Sequence, residues 1–165
     1  MLGGKMIKKI GSKEQVVLNK ALSIVRKFQI FKQYKQKSET FINHMLIHQL
    51  KQKLNVNDRS IPCAKMVGDQ FRPECFIKGS GEIPLCAFEC KKLTDAFAKA
   101  RWKEGLSQAL LYSHCYKATV LIFYDYTKNG AYSLAFGSKK SMESRFAESL
   151  RKAFRIYVVI IKPYK

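Results

Sequence analysis

Acids are scarce in this chain, yet two of them stand inside sequence that reads as strand. Glu74 follows Pro73 in Phe71-Arg72-Pro73-Glu74-Cys75-Phe76-Ile77, and Glu89 sits in Leu85-Cys86-Ala87-Phe88-Glu89-Cys90-Lys91-Lys92. Side chains alternate along a strand, so Glu89 and Lys91 share a face. A carboxylate at strand level is costly to bury unless it is paired or holds a cation. Two carboxylates facing each other across a hairpin make an oxygen-rich site for a hard cation such as Mg²⁺. A lysine beside them can orient or help deprotonate an attacking water and stabilise charge on a phosphate. The bland reading of all three residues is an edge strand with solvated charges.

Other reactive types carry weaker patterns. Asp69 lies just before the first strand and rivals Glu74 for the place of the first acid. His44 and His48 stand four apart on helical sequence, but no Glu lies between them as a zinc metalloprotease helix requires. With His114 they read as solvated or structural. The five cysteines, Cys63, Cys75, Cys86, Cys90 and Cys115, form no CxxC pair and are odd in number. That argues against a disulfide frame or a zinc ribbon and fits an intracellular protein with buried thiols. Cys86 and Cys90 share one strand face about 13 Å apart, too far to hold one metal.

Across 165 residues, 31 Lys plus Arg face 12 Asp plus Glu, a formal charge of +19. The excess is spread along the chain, and hydrophobic residues at 47% allow a folded core. Such a balance points to a polyanion partner, nucleic acid first and an anionic membrane surface second. No apolar stretch is long enough to span a membrane, and the N-terminus lacks the apolar run of a secretory signal.

The elements that must position these residues can be read in order. Apolar spacing predicts a helix over 13–34 and a second over 39–54, with Ser38 as N-cap. Residues 55–60 read as a loop, 63–68 as a short strand, and 71–78 and 84–91 as a hairpin around the 79–82 turn. A helix over 95–115 leads to a central strand at 119–126. Asn129-Gly130 is a hairpin turn signal into a strand at 131–136. Ser138 then caps a helix to about residue 154, and 156–162 closes as a strand. The sum is one α/β (mixed α+β) domain, 1–165, with a mixed central sheet flanked by helices. Residues 1–37 form an N-terminal helical extension and 38–165 the core.

Arg72-Pro73-Glu74 followed by Glu89-Cys90-Lys91 resembles the signature of the PD-(D/E)xK nuclease superfamily, with Glu in place of the usual Asp at 74. Gln108-Ala109-Leu110-Leu111-Tyr112 is similar to the QxxxY motif of its RecB-like members. Gln108 and Tyr112, four apart, share a helix face. The resemblance spans roughly residues 38–125 and implies a restriction-endonuclease-like core. It implies that Glu74, Glu89 and the Cys90 carbonyl bind Mg²⁺ or Mn²⁺, with Glu39 of the preceding helix joining directly or through water. It casts Lys91 as the residue that orients the nucleophilic water, with Gln108 and Tyr112 positioning Lys91 or a phosphate. Arg72, Lys92, Lys99, Arg101 and Lys103 would hold the nucleic-acid backbone, contacts that carry no sequence information. Some RecB-like relatives hold an iron–sulfur cluster on four cysteines. The cysteines here do not match that layout, so none is expected.

The expected activity is therefore a metal-dependent deoxyribonuclease, taken as an endonuclease, cytoplasmic and associated with DNA rather than RNA. A homodimer follows if it cuts both strands of a duplex. The alternative is a non-catalytic basic nucleic-acid-binding module of the same fold. A basic protein lying on anionic lipid is the third class.

Overall fold

The computed structural model describes residues 9–57 and 72–164. Its first helix, α1 (Ser12–Lys27), opens on a capping box in which the Glu14 carboxylate accepts from the Gly11 N–H at 3.0 Å. The helix stops short of the expected residue 34. Phe28 and Ile30 turn extended and buried, and Ile30 to Lys32 pair with Tyr164: Tyr164 N donates to Ile30 O and Lys32 N to Tyr164 O. Backbone committed to that pairing cannot continue a helix. A 3-10 turn over Lys32–Gln36 follows, and then α2 (Glu39–Lys53), whose N-cap Ser38 accepts from Phe41 N as expected.

Five strands form one mixed sheet in the order β1 (Val56–Asn57), β2 (Cys75–Ile77), β3 (Cys86–Leu93), β4 (Ala118–Asp125), β5 (Ile156–Ile161). β1, β2 and β3 are antiparallel, while β3, β4 and β5 are parallel. The hairpin between β2 and β3 is the one expected, and β1 falls inside the segment read as a loop. The expected strand at 63–68, Cys63 and Asp69 lie outside the described residues. Parallel strands need crossovers, here α3 (Ala98–Cys115) between β3 and β4, and the pair α4 (Ala131–Gly137) and α5 (Met142–Phe154) between β4 and β5.

Two readings of this last region are corrected. Asn129 and Gly130 do adopt left-handed backbone, φ 60° and 66°, but they lead into α4 and not into a strand at 131–136. Both edges of β4 are already taken, by β3 and β5, so no edge remains for a returning strand. Buried Asp125 fixes the turn instead, accepting from Thr127 and from the N–H and hydroxyl of Ser133. The following helix is broken, and Ser141, not Ser138, caps α5 by accepting from Ser144 N.

Side chains of the sheet divide by parity. Cys75, Cys86, Phe88, Cys90, Val120, Ile122 and Tyr124 join α1 and α2 in one apolar layer. Ala87, Leu93, Leu121 and Phe123 face α3 and its neighbours. Cys86 and Cys90 therefore share a face and are buried thiols, as read from the sequence, as is Cys75. Cys115 departs from that reading: it is disulfide-bonded, so the odd cysteine count did not exclude a disulfide. Leu18, Ala21 and Val25 of α1 are fully buried in the first layer, so the helix is part of the core and not an appendage to it. Among the described residues, no helix is long and apolar enough to cross a membrane.

Candidate active site

β3 is the centre of the site. Its odd-numbered residues point toward α3, where Glu89 is 1% exposed and Lys91 4%. The Lys91 Nζ lies 2.6 Å from Glu89 Oε1 and 3.2 Å from Glu104 Oε1. Arg101 extends the chain of alternating charge, 2.5 Å from Glu104 Oε2 by one nitrogen and 2.5 Å from Glu39 Oε1 by another. α3 comes this close because residue 105 is glycine. A Cβ there would stand 2.9 Å from Lys91 Cγ and 3.1 Å from Leu121 Cδ1.

The strand edges explain how Glu39 and Glu74 arrive. Leu85 and Leu93 carbonyls accept from Ala118 N and Tyr126 N, so the odd residues of β3 bond toward β4. The even residues turn their main-chain groups to the β2 side, where Phe88 O accepts from Glu74 N at 2.9 Å. β2 begins at Cys75, so beyond Phe88 that edge has outrun its partner strand. The Cys90 carbonyl faces this gap. Glu39, at the first turn of α2, fills the next position by accepting from Lys92 N at 2.5 Å. Cys75 pairs with Phe88, which places Glu74 and Glu89 side by side just past the end of the hairpin.

The electrostatics are those of crowded, half-compensated acids. Burial pushes the Glu89 carboxyl up to about 7, against the pull of Lys91 and with a push from Glu74. Burial raises Glu74 as well; Lys91, Asn43 and His44 oppose that and Glu39 adds to it. Lys91 loses solvation too, but Glu89, Glu39 and Glu104 outweigh the loss and hold its ammonium above the ordinary range. The Tyr112 hydroxyl is raised by burial and then by Glu89, so it stays protonated. It lies near Glu89 without completing a hydrogen bond. Glu89 Oε2, Tyr112 OH, Gln108 Oε1 and Asn43 Oδ1 are all buried without a hydrogen-bond partner. Buried polar atoms are rarely left so; of these, Tyr112 acts on Glu89 and Asn43 on Glu74, which puts three of the four at the site.

Five residues read from the sequence thus meet here, Glu39, Glu74, Glu89, Lys91 and Tyr112, while Gln108 stands one turn before Tyr112 on α3. The backbone-binding set divides. Arg101 is committed to Glu39 and Glu104. Lys92 Nζ donates to the carbonyls of Lys35 and Lys37, both at 2.6 Å, and lies over the Tyr126 ring, so it ties down the 3-10 turn. Arg72, Lys99 and Lys103 are exposed. Glu104 and Asn43 were not singled out from the sequence. Glu104 carried a signal, lying four residues before Gln108 on the face that also bears Arg101. His44 and His48 line a cavity of about 420 Å³ beside Glu74 with Lys51.

A divalent cation fits part of this set. Glu74, Glu89 and the Cys90 carbonyl offer hard oxygens, and the partnerless Glu89 Oε2 and the raised carboxyls are what a cation would satisfy. Glu39 has both oxygens engaged. Accordingly, among the described residues no three His, Cys, Asp or Glu side chains stand where they could hold one ion. Comparison with family models, characterised proteins and solved structures found no match, so the chain is placed by its own residues alone.

Proposed function

We propose that the protein is a metal-dependent nuclease that hydrolyses phosphodiester bonds of DNA. The observation that carries this reading is the Glu89–Lys91 couple, closed at 2.6 Å and almost wholly buried, in a chain of net charge +19. A buried ion pair is weak as a stabilising device, because desolvation offsets its attraction. Its place beside Glu74, with one oxygen of Glu89 left partnerless, suits chemistry on a phosphate better than it suits the fold.

Glu74, Glu89 and the Cys90 carbonyl would hold Mg²⁺ or Mn²⁺. When bound, the ion lowers the pKa of water and neutralises charge on the phosphoryl oxygens. Lys91 holds the attacking water by one N–H and keeps it in line with the phosphorus. Gln108 and protonated Tyr112, four apart on α3, would position Lys91 or the phosphate. Lys99, Lys103 and Arg72 hold flanking phosphates, which gives affinity without sequence preference.

The second reading is a non-catalytic module that binds nucleic acid. It is favoured by the engagement of both Glu39 oxygens, which leaves two carboxylates for a metal. Plasmid and linear DNA incubated with Mg²⁺ separate the two. Wild type should cleave, EDTA should stop it, and Glu89→Gln and Lys91→Met should each lose about a hundredfold or more. Retention of DNA with equal, metal-independent absence of product in all three would leave the binding module.

A further inference from the structure

β5 ends the sheet, and its outer edge is not covered by any strand among the described residues. Thr119 N donates to Arg155 O, which fixes the phase of the parallel ladder: Tyr157, Val159 and Ile161 bond toward β4. Ile156, Val158 and Ile160 therefore turn their N–H and C=O groups outward. No hydrogen bond to these groups is formed by the described residues.

The edge opens into a groove of about 430 Å³ that straddles the sheet. Tyr157 to Ile160 form its floor, Arg26 of α1 one wall, and Phe136 with Arg151 of α4 and α5 the other. The fold already uses this edge once. Just beyond β5, Tyr164 exchanges both main-chain bonds with Ile30 and Lys32, in parallel sense. A strand laid against the preceding residues would continue that pairing. Unpaired edges rich in β-branched residues are usually blunted by prolines, bulges or charge, and Ile156-Tyr157-Val158-Val159-Ile160-Ile161 has none of these.

We propose that this edge is a docking site for an extended, acidic segment of another protein, bound by strand addition. The charge around the groove selects the occupant. Arg26, Arg151 and Lys162 line it against the single acid Glu148, which is already paired to Arg151 at 2.6 Å. A second copy of this chain is disfavoured for the same reason. Antiparallel pairing of two β5 strands brings the Arg155 end of each to the Lys162 end of the other, and each copy carries +19.

The probe is an acetylated, amidated Glu-Val-Glu-Val-Glu-Val peptide with a fluorophore, titrated by anisotropy at about 0.15 M salt. Its Lys-Val counterpart tests charge. A version N-methylated at alternate residues keeps the charge but loses the donors of one edge. The acidic peptide should bind, and N-methylation should weaken it about tenfold or more. Val158→Pro removes an outward N–H without touching the β4 ladder, and should weaken the peptide similarly with unchanged circular dichroism. Equal affinity for methylated and unmethylated peptides overturns strand addition, whether or not Val158→Pro folds. No binding of the acidic peptide, or equal binding of the lysine one, overturns the assignment. So does a concentration-dependent dimer of the free protein that Val158→Pro abolishes.

Discussion

Replacing Glu14 by Gln should cost the protein a large part of its stability at neutral pH and little in acid. The Glu14 carboxylate receives Gly11 N and Ser80 N, both at 3.0 Å, the Ser80 hydroxyl at 3.0 Å, and Lys117 Nζ at 2.7 and 2.8 Å. It thereby ties the start of α1 to the β2–β3 turn and to the residue that leads into β4. Its side chain is 8% exposed and that of Lys117 13%, so solvent screens the pair only slightly. Lys117 foremost, with the Ser80 and Gly11 donors, outweighs burial and holds the carboxyl down at about 2 instead of 4.5. That depression is worth at most about 3 kcal/mol at pH 7. Because the folded-state value is the lower one, the stabilisation is full above about 4.5 and is lost as pH falls toward 2. Urea unfolding of wild type and Glu14→Gln measures it. At pH 7 the midpoint should fall by about 1 M with the slope unchanged, for a loss of about 2–3 kcal/mol. At about pH 3 the gap should be less than half as large. Superimposable curves at pH 7, or a gap that persists undiminished in acid, would refute the reasoning.

Three further outcomes follow from the site. Glu89→Gln should stabilise metal-free protein by roughly 1 kcal/mol at pH 8 and by less at pH 5. The folded carboxyl is raised to about 7, so its burial penalty grows as pH climbs from 4.5 through that value; thermal melts in EDTA at the two pH values measure this. Gly105→Ala should cost about 1–3 kcal/mol by overpacking and reduce cleavage more than DNA binding, since the new methyl meets Lys91 Cγ. Gel-shift and cleavage assays on one preparation separate those effects. Ser38→Ala should cost about 1 kcal/mol, by chemical denaturation, through loss of the α2 cap beside Glu39.

The parts of the site that lie on regular elements were legible in the sequence. Alternation along one strand put Glu89 and Lys91 together, and helical spacing put Gln108 and Tyr112 together. Glu39 was legible as a first-turn acid, but its bond to Lys92 N was not. That bond depends on β2 stopping at Cys75 while β3 continues, a mismatch in length that no local pattern records. Arg101 and Lys92 read as free cations because exposure was the default for a lysine or arginine; each is claimed by an acceptor from a distant segment. The Asn129-Gly130 signal was read correctly as backbone and wrongly as topology. Two left-handed residues permit a hairpin, and the occupied edges of β4 decide against it.

The pairing of Ile30 and Lys32 with Tyr164 also orders events in time. Synthesis at about 5–20 residues per second puts on the order of ten seconds between those segments. A helix equilibrates within about a microsecond, so α1 forms and frays many times before its partner exists. Until β3, β4 and β5 are made in turn, Leu18 and Val25 have no complete sheet to cover. The newborn chain thus carries a helix whose apolar face is buried only as the later strands of the sheet are made. The interval is open to chaperones and to a neighbouring copy on the same message.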